Sequence, residues 1–306
     1  MEREKRASKY LGSVRFYRHL IVGMVLGELL LSTGLAVFWG VENRQLKSAA
    51  PVSVEQEQAL APVQMVLPDG VAAGEEGIAY QTAHPALYAE ERDFAFAPDR
   101  EKTVYLTFDD GPTQRTGEIL DVLDQYGVKA TFFVVYRDDE ASKELYREIV
   151  ARGHTIGVHS ASHDYRKVYQ SVDSYLDDFD QMYQQIYEVT GVRPDLFRFP
   201  GGSVNAYNMD LYQEIIAEML RRGFVYYDWN VGSGDTMRGA TAATIADRVV
   251  GGMPEKRGIV LLHDSANKTQ TVQALPQIIQ RLQAQGYSFA PLNRTVRPCT
   301  FGYQSE

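Results

Sequence analysis

Between Lys102 and Pro291 short apolar runs alternate with longer stretches whose apolar residues recur at helical spacing. The runs Thr103–Phe108, Ala130–Val135, Thr155–His159, Leu196–Phe199, Phe224–Val231, Gly258–His263 and Tyr287–Pro291 read as strands. The stretches Gly117–Tyr126, Ala141–Arg152, Val172–Val189, Met209–Arg222, Ala242–Val250 and Val272–Gln285 read as helices. Each helix closes beside a glycine (Gly127, Gly153, Gly191, Gly223, Gly251, Gly286), the residue favoured for a left-handed cap. Seven strands alternating with six helices predict an α/β fold around a parallel sheet. A doubly wound sheet and a barrel both satisfy that alternation. The polar residues decide between them, because Asp109-Asp110, His159, Arg198, Asp235 and His263 all fall at or just past the C-terminal ends of five strands. A ring of polar groups there is how a (β/α) barrel builds a site. Seven strands rather than eight predict a distorted, incomplete barrel. No internal repeat or low-complexity tract interrupts it.

The N-terminal third follows other rules. Leu20–Val41 is apolar apart from Glu28 and long enough to cross a bilayer as a helix. Residues 1–19 carry Arg3, Lys5, Arg6, Lys9, Arg15 and Arg18 against Glu2 and Glu4, whereas only Arg44 and Lys47 follow closely after. That asymmetry keeps the N-terminus in the cytoplasm and sends the body outside. A buried core helix would be amphipathic and would not need the basic flank. A cleaved signal has a shorter apolar region and a small-residue cleavage site, so an uncleaved single-pass anchor in the cell membrane is expected. Residues 42–100 show no sustained period and read as a stalk, with short packed pieces near Tyr80–Phe96. The expected order is a basic tail (1–19), an anchor (20–41), a stalk (42–100), a catalytic domain (101–293) and a C-terminal tail (294–306).

Charge and cysteine content narrow the partners. The net charge is −9, and the basic tail hides a more acidic body, since residues 1–19 alone carry +4 and leave −13 for the rest. An acidic body without a basic stripe argues against nucleic acid. One cysteine, Cys299, excludes an intrachain disulfide and a cysteine metal cluster.

The chemistry-bearing residues cluster in two places. Thr107-Phe108-Asp109-Asp110-Gly111-Pro112 ends the first strand, and His159-Ser160-Ala161-Ser162-His163 ends the third. A carboxylate with two histidines gives a divalent metal three protein ligands and leaves a position for water. A second carboxylate beside that water can take its proton. Alone, Asp-Asp-Gly-Pro reads equally well as a turn after a strand. The histidine pair shifts the balance, because the whole chain has six histidines and two of them lie four apart behind a strand. Arg198-Phe199-Pro200-Gly201-Gly202, the segment from Tyr227 to Asp235, and Leu261-Leu262-His263-Asp264 add weaker signals at further strand ends.

Taken together, the five motifs resemble the polysaccharide deacetylases of carbohydrate esterase family 4, with its NodB-type homology domain. The resemblance spans residues 102–292, leaves out the anchor and stalk, and rests most on Thr-Phe-Asp-Asp-Gly-Pro and His-Ser-x-x-His. It implies a distorted (β/α) barrel and a hydrolase that removes acetyl groups from N-acetylated sugars. It also implies that Asp109 is the catalytic base and that Asp110, His159 and His163 hold the metal, zinc first, with cobalt or nickel also fitting. Arg198 would orient Asp109, His263 would be the general acid, a Gly201 N–H would stabilise the oxyanion, and Leu261 would contact the acetyl methyl. The fourth motif departs from the family pattern Asp-Ser-x-Asp-Trp, because the aligned positions are Gly232, Ser233, Asp235 and Thr236. The partner of His263 is therefore open between Asp235, the first choice, Asp228 and Asp264. For an outward-facing, membrane-tethered domain the expected substrate is N-acetylglucosamine of peptidoglycan. Chitin-like, muramic or O-acetylated polysaccharides share the chemistry. A surface sugar-binding protein without catalysis and a hydrolase of peptide or small-molecule amides are the readings from other classes.

Overall fold

The computed structural model describes residues 78–89, 96–98 and 102–301. A single helical turn, α1 (Ala79–Thr82), comes first. Then follow β1 (Thr103–Asp109), α2 (Gln114–Gln125), β2 (Thr131–Val135), α3 (Glu140–Ala151), β3 (Thr155–Ser160), α4 (Tyr165–Val168), α5 (Val172–Thr190), β4 (Leu196–Phe197) and α6 (Tyr212–Arg221). The chain ends with β5 (Val225–Tyr226), β6 (Val231–Gly232), α7 (Ala242–Gly251), β7 (Arg257–His263), α8 (Thr269–Ala284) and β8 (Ser288–Phe289). The apolar run Leu20–Val41 lies outside the described residues. Among those described, no helix is long and apolar enough to cross a membrane.

Seven strands pair in the order β5-β4-β3-β2-β1-β7-β6, all in parallel, and β8 pairs with the start of β1. The two edge strands are neighbours in sequence, joined by residues 227–230 alone. Five Cα steps reach roughly 19 Å at most, whereas the edges of a flat seven-stranded sheet lie roughly 29 Å apart at the usual strand spacing. The sheet must therefore curl, and it forms an open half-barrel with its seam between β5 and β6.

Strand alternation then sorts the side chains onto two faces. Tyr105, Phe133, Leu196, Val225, Tyr227 and Ile259 meet Leu292 in a small inner cluster. Their neighbours Val104, Leu106, Phe108, Phe132, Val134, Phe197, Val260 and Leu262 pack outward against the helices in the main core. Position parity carries β1 from Tyr105 through Thr107 to Asp109, so Asp109 points into the barrel at its C-terminal end. In register it stands beside His263 of β7.

The expected strand Phe224–Val231 is two strands on opposite edges. Tyr227 still donates to the Phe197 carbonyl, but the Asp228 N–H turns to the Cys299 carbonyl, and the chain then crosses the seam to β7. Residues 294–301 are packed rather than loose: Val296 and Cys299 cover the inner cluster, and the Phe301 N–H donates to the Asp228 carboxylate (2.6 Å). Within the expected stalk, residues 78–89 lie against α6, where buried Arg222 donates to the carbonyls of Tyr80, Ala83, His84 and Leu87. One of the six glycine caps also differs. Gly127, Gly153, Gly191, Gly223 and Gly286 have positive φ, but Gly251 is the last residue of α7 and Gly252 caps it at φ −90°.

Candidate active site

The end of β1 divides two adjacent carboxylates. Asp109 completes the strand and is 3% exposed, with its side chain inside the barrel. Asp110 takes φ +75°, a conformation that costs a non-glycine residue of order 1–3 kcal/mol, and this turns its carboxylate away from the strand alternation. Behind it Gly111 runs so close to Asp264 that a Cβ would lie 2.2 Å from its Oδ2. Only glycine fits there.

His159 is the last inward residue of β3, and Gly157, Asp109 and His263 share its face. Its Nδ1 lies 2.8 Å from the Arg198 carbonyl, which can only accept, so Nδ1 donates there and Nε2 is turned to the cleft. His163 follows on a tight loop at φ +51°. Asp178 of α5 clamps this loop, accepting from Ser160 Oγ (2.6 Å), the Ala161 N–H (2.8 Å) and the Ser162 N–H (2.7 Å). Ser160 Oγ in turn accepts the His163 N–H (2.8 Å). Asp178 escapes a reading of the sequence because it sits in an acidic helical run, Asp177-Asp178-Phe179-Asp180, that resembles any solvated face.

These elements bring Asp110 Oδ1 to 3.2 Å from His163 Nε2 and 3.6 Å from His159 Nε2. One ligand atom from each residue lies within 4.8 Å of the others. Asp110 Oδ2 is held by Ser265 Oγ (3.0 Å), which leaves Oδ1 for the shared point. Burial works to raise the Asp110 pKa, but His159 and His163 outweigh it and hold the carboxyl below its usual range. Burial, reinforced by His159, lowers the His163 pKa and keeps that ring neutral. Two imidazoles with their Nε2 atoms turned toward a carboxylate are the donor set a borderline divalent cation takes, so these residues fit a metal.

Arg198 is fully buried. Its Nη1 donates to Thr107 Oγ1 (2.6 Å) and Asp109 Oδ1 (2.9 Å), its Nε to the Tyr227 carbonyl (2.7 Å) and its Nη2 to the Asp228 carbonyl (3.2 Å). Its guanidinium lies 4.5 Å from the Phe133 ring centroid. Four of its five N–H groups thus find acceptors inside the protein, as a buried charge requires. Asp109 Oδ2 remains on the cleft side, 3.9 Å from His159 Nε2.

Across the cleft, His263 Nδ1 meets Asp235 Oδ1 at 2.8 Å. Asp235 Oδ2 accepts the His263 N–H (2.8 Å) and Thr271 Oγ1 (3.0 Å). Burial pulls the His263 pKa down, but the Asp235 carboxylate overcomes it and the net shift is upward. The partner moves oppositely: burial alone would raise Asp235, and His263 holds it below its usual value. The other two carboxylates are engaged elsewhere. Asp228 accepts from the Ser203 N–H (2.8 Å) and Oγ (2.5 Å) besides Phe301. Asp264 accepts from Thr116 Oγ1 (2.6 Å) and Thr113 Oγ1 (3.3 Å), and burial pushes its pKa up to about 8. The glycine at position 232 leaves no gap in this arrangement. It is exposed, and a Cβ built there meets nothing within 4 Å.

The cleft over these groups has a volume of about 380 Å³. Leu261 and Gly201 both line it. Among the described residues no acceptor meets the Gly201 N–H. Thr236 also lines it, at the position where the resemblance leads one to expect tryptophan, while Trp229 enters from the seam. Trp229 was detectable as one of two tryptophans in the chain, beside a strand end. Lys268, whose Nζ donates to the Asp235 carbonyl (3.0 Å), completes the far wall.

The family model described as polysaccharide deacetylase matches residues 97–220, from before β1 to the end of α6. A peptidoglycan-N-acetylglucosamine deacetylase of Bacillus cereus is 33% identical over 199 residues, which cover 63% of this chain and 70% of the relative. The catalytic domain of a peptidoglycan N-acetylglucosamine deacetylase from Eubacterium rectale has a similar structure, with TM-score 0.64 and 36% identity over 72% of this chain and all of that domain. A family 4 acetyl xylan esterase from Clostridium thermocellum, solved with a cobalt ion, reaches TM-score 0.52 at 32% identity, covering 62% of this chain and 88% of its own.

Proposed function

This chain belongs to the polysaccharide deacetylase family, and from that premise we propose that it removes the acetyl group from N-acetylglucosamine in peptidoglycan with the help of a divalent metal. The observation that carries the proposal is the convergence of Asp110 Oδ1, His159 Nε2 and His163 Nε2 beside the cleft-facing oxygen of Asp109. Those three residues would hold the ion, zinc first, with cobalt or nickel as alternatives. Once bound, it supplies Lewis acidity toward a carbonyl oxygen and lowers the pKa of water.

The chain's own groups account for the proton movements. Asp109, locked through Oδ1 by Arg198, uses Oδ2 to take a proton from water as the water oxygen bonds to the acetyl carbon. Charge then develops on the former carbonyl oxygen, toward which the Gly201 N–H donates. His263 holds its Nδ1 proton against Asp235 and delivers the Nε2 proton to the amide nitrogen as the C–N bond breaks. The leaving group departs as a free amine, which could not leave as an anion, and acetate remains. Leu261 forms an apolar wall for the acetyl methyl.

The basic flank and the apolar run Leu20–Val41 support an anchored enzyme with residues 101–293 outside the cytoplasm, where peptidoglycan lies. Likeness to an acetyl xylan esterase supports one further arm of the test, since an ester is cleaved by the same steps. The experiment is acetate release by metal-loaded protein from peptidoglycan, N-acetylglucosamine oligosaccharides and acetylated xylan. The highest kcat/KM is expected on peptidoglycan. A higher value on acetylated xylan would move the substrate, and no acetate from any glycan would overturn the proposal.

A further inference from the structure

The two carboxylate oxygens of Asp110 are engaged differently. Oδ1 lies 3.2 Å from His163 Nε2 and 3.6 Å from His159 Nε2. Oδ2 points to Ser265, whose Oγ donates to it at 3.0 Å. Ser265 lines the cleft, yet none of the proton movements uses it. An unrestrained carboxylate can give both oxygens to one cation. Which mode Asp110 adopts decides how many positions around an ion are left for reactants.

The loop that carries Ser265 is fastened on both sides. Before it, the Asp264 N–H donates to the Asp109 carbonyl (2.7 Å), and the buried Asp264 carboxyl accepts from Thr116 Oγ1 (2.6 Å) in the first turn of α2. Gly111 packs against that carboxyl with no room for a Cβ. After it, the Ala266 carbonyl accepts from Arg115 Nε (3.2 Å). The Ser265 carbonyl accepts the Lys268 N–H (2.9 Å), and Lys268 is tied in turn to the Asp235 carbonyl. Five contacts to other parts of the barrel end thus fix where the hydroxyl stands, so Oδ2 meets a donor whose place is set before any ion arrives.

We propose that Ser265 is a positioning residue that restricts Asp110 to ligation through one oxygen, so that adjacent positions on the ion stay open for water and for the acetyl carbonyl oxygen. The inference rests on the deacetylase reading above and specifies how its metal side keeps room for both reactants. Three single-atom donors, from Asp110, His159 and His163, leave space on a four- or five-coordinate ion. A second oxygen from Asp110 would fill part of it. The hydrogen bond from a hydroxyl to an ionised oxygen is charge-assisted and competes with the ion for that oxygen. Side chains behind a ligand commonly set its orientation in this way.

The test uses the full chain loaded with zinc and titrated with acetohydroxamate, a small molecule that occupies two adjacent positions on a metal. Ser265→Ala frees Asp110 Oδ2 to join the ion. It should keep about one zinc per chain and the wild-type Tm, yet lose about 10-fold in acetohydroxamate affinity and in kcat, the size of changes behind a ligand. Ser265→Thr keeps the hydroxyl and should match wild type. A merely structural role would lower Tm and leave acetohydroxamate affinity alone. Equal affinity in wild type and Ser265→Ala, no recovery in Ser265→Thr, or loss of zinc from Ser265→Ala would each overturn the inference. So would a crystal structure of zinc-loaded wild type with both Asp110 oxygens on the ion. The deacetylase reading fails separately. Wild type that binds acetohydroxamate more tightly than Ser265→Ala, yet releases no acetate from any glycan, keeps the role of Ser265 and refutes that reading. Wild type that takes up no zinc overturns both.

Discussion

Two histidines on opposite walls of one cleft, His163 and His263, are driven in opposite directions. Both are largely removed from water, which disfavours the charged ring in each. At His163 nothing reverses that, and the neighbouring His159 adds to it, so the ring stays neutral with a lone pair to give. At His263 the Asp235 carboxylate, 2.8 Å away, outweighs burial and keeps a proton on the ring. The same side chain is thus fitted to offer a lone pair on one wall and to hold a proton on the other, by one difference in partner. The two walls also differ in how they are held. Two of the three residues on the metal side sit at positive φ, and a network centred on Asp178 fixes the loop. The acid side has ordinary backbone and depends on side-chain hydrogen bonds to one carboxylate.

The contrast breaks most severely at Asp109, which serves both walls. Asp109→Asn should lower kcat by on the order of 10²- to 10⁴-fold, the range for a lost general base, while metal content stays at the wild-type value. Loss of metal with loss of rate would place Asp109 among the ligands instead. Asp178→Asn tests whether the loop clamp matters to the metal side alone. Removing its charge should weaken metal affinity by about 10- to 100-fold, as changes behind a ligand do, and leave the pH dependence of the loaded enzyme in place. A competition assay with a chelator measures the first and a pH–rate profile the second.

The metal wall was legible in the sequence and the acid wall only partly so. Asp109, Asp110, His159 and His163 lie in two short motifs, each ending a strand whose apolar run is plain; alternation predicts that Asp109 and His159 face inward, whereas Asp110 and His163 follow the strands at positive φ. Asp235 follows a two-residue strand on the sheet edge. There the apolar run Phe224–Val231 suggests one continuous strand, and the break at Asp228 comes from hydrogen bonds to Ser203, Cys299 and Phe301, none of them near in sequence. Asp235 comes first by its place in the fourth motif, but Asp228 and Asp264 offer the same carboxylate close to strand ends. What separates them is which hydroxyl or amide each one meets, a property of the assembled barrel. The packing of residues 78–89 and 294–301 was hidden for the same reason, since carbonyl acceptors for Arg222 and an N–H donor for Asp228 carry no side-chain signature.

A smaller effect sharpens the acid side. Asp235→Asn removes the charge that raises His263, so the alkaline limb of the kcat/KM profile should move to lower pH. The stability consequence has a defined window. The raised His263 pKa contributes stability that is full below its ordinary value of 6.5 and is lost as pH rises through the folded value. The lowered Asp235 pKa contributes above its ordinary 3.8 and is lost as pH falls through the folded value. The difference in Tm between wild type and Asp235→Asn should therefore be greatest between those limits and narrow on either side. An unchanged alkaline limb would separate His263 from the acid role.

The division between the two walls is tested most directly by metal content per chain, measured on His163→Ala and His263→Ala prepared and loaded side by side with wild type. The account predicts about one zinc per chain in wild type and in His263→Ala, and little in His163→Ala. Equal metal in the two variants, whether both full or both empty, would contradict it.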